Sequence, residues 1–415
     1  MTSLIDLLGE PQRAYPVIHV TGTNGKTSTA RMIDALLQAF GLRVGRFTSP
    51  HLQSITERIT IDGQPLAPAV FAAAYDELLP FVELVDQRSD HPTSFFEILT
   101  AMAYSTFADS PVDVAVVEVG LGGSWDATNV AVGQVAVITP ISLDHTRLLG
   151  PTLSAIATEK AGIIKAGATA VMGLQPAEAA EVLLRRALEV DASVAREGLE
   201  FGVVERAVAV GGQSLTLQGL GGSYEEIFLP LHGPHQAANA AGALAAVEAF
   251  FGGGSDRGRV DVDAVREGFA AVASPGRLEA VRSAPTVLVD AAHNPAGMAA
   301  TVAALQDAFS FRRLIAVVAV LAEKDVRGIL EALEPAVDAI VITQNSSPRS
   351  MAVDELAAIA VAVFGADRVD VTPRLDDALE AAVGLAEEEE PLSGVGILVT
   401  GSVVTAGEAR TLLRR

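Results

Sequence analysis

Val17-Ile18-His19-Val20-Thr21-Gly22-Thr23-Asn24-Gly25-Lys26-Thr27-Ser28 is the stretch on which the reading of this chain turns. A short apolar run rich in β-branched residues leads into two closely spaced glycines. A lysine and two hydroxyl residues follow, and then a helical pattern begins. A strand that feeds a helix through such a turn aims backbone N–H groups and the helix N-terminus at phosphate oxygens. In that frame Gly22, Thr23, Asn24, Gly25 and Ser28 form a nucleotide-binding loop. Lys26 is placed to reach β- and γ-phosphates, and the Thr27 hydroxyl to ligate Mg²⁺. The full GxxxxGK[ST] spacing is not met, because Val20 stands where its first glycine belongs.

Outward from this corner the chain alternates short apolar runs with longer helical patterns, the mark of βαβ units on a mostly parallel sheet. A helix is predicted from about Thr27 to Phe40, with Ile33, Leu36, Leu37 and Phe40 on one face. Strands are predicted at Val44–Phe47, Val112–Val119 and Val135–Ile141, and helices near Pro68–Val85 and Ser94–Phe107. Ser193–Leu231 is punctuated by glycines and alternates, so a small antiparallel sheet is expected there. After Ser274-Pro275-Gly276 the α/β rhythm restarts, with strands at Val287–Asp290, Leu314–Leu321, Ala339–Thr343, Val369–Val371 and Gly396–Thr400. The expected fold class is therefore α/β. A large N-terminal nucleotide-binding domain (1–274) has a mostly parallel sheet plus a small antiparallel one, and a smaller Rossmann-like domain spans 275–415. The acidic run Glu387–Glu390 is read as a solvated helix end.

Composition narrows the function. Half of the 415 residues are hydrophobic, but the apolar stretches are too short for a bilayer span. There is no cysteine, hence no disulfide framework, thiolate metal site or cysteine nucleophile. The formal charge of −22 argues against nucleic acid as a partner. With no signal-peptide pattern at the N-terminus, a cytoplasmic enzyme that acts as a monomer is expected. Only four of the 29 basic residues are lysines, namely Lys26, Lys160, Lys165 and Lys324. A position that keeps lysine in such a chain is a candidate for chemistry that needs a deprotonatable amine.

Further motifs stand in order along the chain. Thr48-Ser49-Pro50-His51-Leu52 lies at the C-terminal end of a predicted strand, the edge where open α/β sheets bind ligands. After it come Glu57-Arg58-Ile59, Phe96-Glu97-x-x-Thr100, Glu118-Val119-Gly120-Leu121-Gly122-Gly123, Asp126-Ala127-Thr128-Asn129 and Leu143-Asp144-His145. Glu159-Lys160-Ala161-Gly162-Ile163-Ile164, His232-Gly233-x-His235-Gln236-x-x-Asn239, Pro275-Gly276-Arg277, Asp290-Ala291-Ala292-His293-Asn294-Pro295 and Thr400-Gly401-Ser402 complete the series. This ordered set, with the short Gly-Thr-Asn-Gly-Lys-Thr loop, resembles the folylpolyglutamate/dihydrofolate synthases of the Mur ligase superfamily. It spans nearly the whole chain. Two departures stand out: Ser124-Trp125 replaces the Arg-Leu common in the family, and Arg147–Pro151 replaces a more acidic stretch.

The resemblance implies ATP and two Mg²⁺ ions as cofactors, and dihydropteroate or a reduced folate with L-glutamate as substrates. It gives one Mg²⁺ to Glu118 and Ser49, with Thr27 nearby, and a second to His145, Glu118 and Lys160, the last carrying a carbamate. It makes Lys26, His145 and Lys160 catalytic. It brings Asn239, Arg277, Asp290 and His293 to the nucleotide, at a site completed when two domains close. It assigns Thr48, Ser49, Pro50, His51, Phe96 and Asp126 to the substrate, Phe96 stacking on a pterin ring or serving simply as core. Lys324-Asp325 matches the family without a role. Two other readings stay open at this level: a Mur-type ligase for a different carboxylate and amino acid, and a P-loop NTPase switch.

Overall fold

The computed structural model describes residues 1–252, 259–388 and 394–414; residues 389 and 390 of the acidic run lie outside them. Two compact units are present. One comprises Met1–Ala207, Ser214–Pro230 and Gln236–Val272, and the other Val208–Gln213, Leu231–His235 and Ala273–Arg415.

The first unit is built on β1 (Val17–Thr21), β2 (Val44–Phe47), β3 (Ile59–Ile61), β4 (Gln64–Pro65), β5 (Val114–Glu118), β6 (Val135–Ile138), β7 (Thr169–Met172) and β8 (Ser193–Arg196). They form one sheet in the order β4-β3-β2-β5-β1-β6-β7-β8. From β2 to β8 neighbours run parallel, and β3 and β4 add an antiparallel edge. Every residue of β1, β2, β5 and β6 is buried, as expected for strands covered by helices on both faces. One core gathers Phe47, Tyr104, Phe107 and Val117, and a second gathers Ile138, Ile156, Ile164 and Leu183.

A small sheet follows, from β9 (Gly202–Ala209), β10 (Gly212–Gln218) and β11 (Ser223–Leu229), antiparallel as expected. One reading needs correction: Ser193–Arg196 does not join this sheet but pairs in parallel with β7 at the edge of the large one. Its short alternating pattern fits either sheet, and only the long-range pairing decides. Glu248, fully buried on the Ala-rich helix Pro234–Phe250, accepts from the Leu220 and Gly221 N–H groups and the Tyr224 hydroxyl, which fixes the turn between β10 and β11.

The second unit carries β12 (Glu279–Ser283), β13 (Thr286–Val289), β14 (Arg313–Val318), β15 (Ala339–Gln344), β16 (Val369–Arg374) and β17 (Val395–Thr400). Their order is β12-β13-β17-β14-β15-β16, parallel except for β12. The last five match the predicted strands; β12 is an unpredicted edge strand with mostly polar side chains.

Two buried polar features fasten the first unit. Arg46 on β2 and Asp34 on the Lys26–Ala39 helix pair at 2.8 Å, with side chains 5% and 2% exposed. His19 in β1 is fully buried and bonds Thr128 Oγ1 through Nε2 at 2.9 Å. Burial first, and the positive charge of Lys165 second, lower its pKa to about 3. The folded value lies below the unfolded one, so between pH 6.5 and 3 only the unfolded chain takes up this proton, and stability falls as pH falls. The expected slope from His19 is about 1.4 kcal/mol per pH unit. It is checked by comparing urea midpoints at pH 7 and pH 5 in the wild type and His19→Gln, whose slope is shallower.

Candidate active site

At the C-terminal end of β1, Gly22 has φ +145° and Gly25 φ +90°, conformations that favour glycine. A Cβ on Gly22 would lie 1.8 Å from Thr139 Oγ1, and one on Gly25 would lie 2.6 Å from Asn239 Oδ1. The loop is therefore clamped from both sides. Thr139 donates its hydroxyl to the Asn24 carbonyl at 2.7 Å, and Thr23 and Ser142 exchange bonds of 3.0 Å. Asn239 reaches it from the Pro234–Phe250 helix, donating to Gln236, which in turn donates to Ser28. Gly25 is the N-cap of the helix that opens at Lys26, so the first backbone N–H groups of that helix face the loop.

Lys26 folds back on its own loop, with Nζ 3.1 Å from the Gly22 carbonyl and 3.0 Å from that of Thr23. Lys160, only 3% exposed on the Leu153–Ala161 helix, donates to the same Gly22 carbonyl at 2.8 Å. Burial first, and Lys26 second, lower the Lys160 pKa to about 7, against the pull of Asp144 and Asp126. Near neutral pH a large fraction of this amine is uncharged and nucleophilic.

Glu118 closes β5, next to β1, with 1% exposure. It accepts the Thr27 hydroxyl at 2.9 and 3.1 Å and the Ser49 N–H at 3.3 Å. Arg58 stands close: burial pulls its guanidinium below the ordinary value, and the Glu118 carboxylate opposes that. Arg58 Nε also donates to His51 Nδ1 at 2.9 Å, so of the Thr48–Leu52 segment Ser49 bonds this carboxylate and His51 bonds the guanidinium within its field. Thr48 is buried and Pro50 exposed. Sequence reading quoted Arg58 within a motif but gave it no part in the site; the antiparallel pairing of β3 with β2 brings it there.

Among the described residues no three His, Cys, Asp or Glu side chains cluster as a metal cage. A cation here must rely on few protein oxygens plus those of a nucleotide, the usual manner of Mg²⁺. Thr27 Oγ1 and a Glu118 oxygen, 2.9 Å apart, have the separation of neighbouring ligands around an octahedral ion with bonds of about 2.1 Å. The donor set fits Mg²⁺. His145 sits apart in character: its side chain is 40% exposed, its φ is +50°, and Nε2 lies 3.9 Å from Asp144.

Asp126 is buried and fully engaged, accepting from the Leu121 N–H at 2.8 Å and from Thr128 N and Oγ1 at 2.9 and 2.5 Å. Burial raises its pKa despite these bonds. Phe96 is partly buried, 5.7 Å centroid to centroid from Phe47, and its ring would meet a Cβ on Gly120 at 2.4 Å. Two further glycines interlock the loop with the Lys160 helix. A Cβ on Gly123 would lie 2.5 Å from the Glu159 carbonyl, and one on Gly162 would lie 2.5 Å from Ser124 Cα. Gly123→Ala should lower stability by about 1–3 kcal/mol through overpacking and displace Lys160. The check is a thermal midpoint measured together with turnover, both of which should fall.

In the second unit Asp290 follows β13 and is buried. It accepts from the Leu278 and Ala292 N–H groups at 2.8 and 2.9 Å and from the Thr301 hydroxyl at 2.9 Å. Asp290 thus braces the segment that presents His293, whose Nδ1 lies 2.9 Å from the Ala291 carbonyl, and the turn that presents Arg277. His235, unassigned in the sequence reading, is buried within electrostatic reach of both Asp290 and Arg277.

A glycine loop feeding a helix, a carboxylate at the neighbouring strand end and a second α/β unit define the Mur ligase class. Residues 20–247 match the Mur ligase middle domain and residues 276–403 the Mur ligase glutamate ligase domain. The dihydrofolate synthase/folylpolyglutamate synthase of Mycobacterium tuberculosis is 56% identical, covering 100% of this chain and 89% of that protein. The folylpolyglutamate synthase of Lacticaseibacillus casei is 33% identical over 99% of this chain and 93% of that protein. The crystal structure of the M. tuberculosis folylpolyglutamate synthase complexed with ADP and AMPPCP superposes with a TM-score of 0.96 at 57% identity, covering 100% of this chain and 94% of that one. That of Escherichia coli FolC in complex with DHPP and ADP gives 0.86 at 31% identity, over 99% and 92%. The chain belongs to the dihydrofolate synthase/folylpolyglutamate synthase family of Mur ligases, and is an enzyme of the ligase type.

Proposed function

We propose that the protein uses ATP to join L-glutamate to the carboxyl group of dihydropteroate and of reduced folates. The observation that carries this reading is the pairing of Glu118 with Thr27 beside a clamped phosphate loop, in a chain of this family. The loop amides and Lys26 hold the β- and γ-phosphates, Lys26 leaving the Gly22 and Thr23 carbonyls to do so. Glu118, Thr27 and Ser49 hold one Mg²⁺; when bound, the ion neutralises charge on the transferring phosphoryl group.

The substrate carboxylate attacks the γ-phosphorus and ADP leaves with the bridging oxygen. The glutamate amine then attacks the acyl phosphate carbon, gives up a proton, and phosphate departs. Lys160, whose pKa burial lowers to about 7, would add through its neutral amine to CO₂ and give up a proton to form a carbamate, and this carbamate, His145 and Glu118 would hold a second Mg²⁺. Thr48, Pro50, His51, Phe96 and Asp126 serve the pterin acid, Phe96 as a ring face and Asp126 by fixing the 121–128 turn. Asn239, Arg277, Asp290 and His293 serve the nucleotide. We place the enzyme in the cytoplasm as a monomer; among the described residues no helix is long and apolar enough to cross a membrane.

The test is phosphate release from Mg-ATP with L-glutamate and either dihydropteroate or tetrahydrofolate. Release that requires both the pterin acid and glutamate supports the reading. ATP binding with no stimulation by either acid overturns it in favour of another carboxylate.

A further inference from the structure

Arg58, Thr48 and Glu118 stand side by side at one edge of the large sheet. Ile59 of β3 pairs with Phe47 of β2, and Phe47 with Val117 of β5. One residue beyond that row, the Thr48 N–H donates to the Arg58 carbonyl at 2.9 Å. The phosphate loop follows β1, on the other flank of β5, and Thr27 meets Glu118 from there. Glu118 thus separates the nucleotide loop from Arg58.

Arg58 is a nearly buried cation, 9% exposed, with no anion against it. Its Nε donates to His51, and its guanidinium carbon lies 5.4 Å from the centroid of the Phe95 ring. These contacts orient the guanidinium plane. Its Nη1 and Nη2 groups make no hydrogen bond, and the side chain no ion pair, with any described residue. The adjacent acid is spent: Glu57 accepts the N–H groups of Leu52, Gln53 and Ser54. The charge of Glu118 reaches the guanidinium without forming an ion pair. A buried cation left without a partner costs stability, so its retention asks for a ligand.

Position and shape select the ligand. The phosphates of ATP are met from the loop side, by Lys26 and the loop amides. An anion on Arg58 lies across Glu118 from them, on the side from which a nucleophile can approach the γ-phosphorus away from the leaving ADP. The open edge of a guanidinium, two N–H groups in a plane, matches a carboxylate.

We propose that Arg58 is a further catalytic residue, holding the reacting carboxylate of the pterin acid by the oxygen that does not attack. The inference rests on the ligase reading above. The other oxygen bonds the γ-phosphorus as the bond from that phosphorus to ADP breaks. When the glutamate nitrogen bonds the acyl carbon, the carbonyl pair moves onto the oxygen held by Arg58. It returns as the carbon–oxygen bond to phosphate breaks; phosphate leaves with that bonding pair, and the amine proton passes to solvent. Arg58 therefore faces negative charge at both stages.

The experiment measures binding of dihydropteroate and of its carboxamide, with Mg²⁺ and AMPPCP present, to the wild type and Arg58→Gln. If the wild type binds tetrahydrofolate only, the pair is tetrahydrofolate and its γ-carboxamide. The variant should bind the acid about tenfold or more weakly, the worth of a hydrogen bond to a charged group, and the amide as the wild type does. AMPPCP binding should be unchanged and kcat should fall by about 10²-fold or more. Equal weakening of acid and amide, or unchanged kcat, overturns the proposal. So does a wild type that binds the amide as tightly as the acid. Loss of AMPPCP binding overturns it too, because Arg58 would then act only through Glu118. Should Arg58→Gln not fold, Arg58→Lys replaces it, with the same selective loss expected at smaller size and the same overturning results. A wild type that binds neither acid fails the ligase reading itself, whereas one that binds an acid with an unshifted variant fails only the assignment of Arg58.

Discussion

Glu118→Gln should reduce turnover by on the order of 10³-fold, the scale of losing a group that stabilises developing charge, while leaving the protein folded. The carboxylate is 1% exposed and its oxygens are shared between Thr27, Ser49 and the field of Arg58. Gln keeps the shape and can still accept from Thr27, but lacks the charge that a hard divalent ion requires. The circular dichroism spectrum should therefore match the wild type, with ATP-dependent phosphate release lost and the Mg²⁺ requirement shifted to higher concentration. Turnover within tenfold of wild type, at unchanged Mg²⁺ dependence, would remove Glu118 from the metal site.

Lys160→Arg should lose turnover by roughly 10²-fold or more, the range seen when groups that tune a metal site are removed. Arginine remains protonated at any accessible pH and cannot take up CO₂, whereas Lys160, with a pKa near 7, can. Wild-type activity should likewise fall in CO₂-free buffer and return with bicarbonate, and near-normal activity in Lys160→Arg would rule the carbamate out. A second readout has the opposite sign. The folded pKa of Lys160 lies below its unfolded value of 10.5. From that pH down to about 7 only the unfolded chain gains the proton, so stability is progressively lost. Lys160→Met should accordingly raise the thermal midpoint at pH 7 while abolishing turnover, as expected where a group is kept for function at the expense of stability. A lowered midpoint would mean that Lys160 is chiefly a structural donor to Gly22.

Much of the fold could be read from the chain because its signals are local. The Val44–Phe47 strand is where apolar patterning predicts it, and the helix after the phosphate loop begins one residue before the expected start. Ser94 caps its helix through a capping box with Glu97, a spacing visible in the sequence. What could not be read is set by topology. Edge strands such as β8 and β12 lack a distinctive pattern, and their place depends on partners far away in sequence. The site behaves the same way. Lys26 and Thr27 announce themselves by spacing, but Arg58 near Glu118 and Lys160 on the Gly22 carbonyl, 138 residues apart, are products of strand order. Asp290 and Asp126 are the reverse case: the sequence singles them out as ligand groups, and their oxygens here are taken up by neighbouring N–H and hydroxyl groups.

The interlock of Gly123 with the Glu159 carbonyl and of Gly162 with Ser124 Cα has a bearing on how this scaffold can be re-engineered. Two segments far apart in the chain share one surface with no slack, so neither can be transplanted alone. A chimera that borrows the 120–129 turn from a relative to change the acid it accepts must borrow 159–162 with it. Over longer times the two segments are expected to diversify in step, as a single heritable module split across the gene.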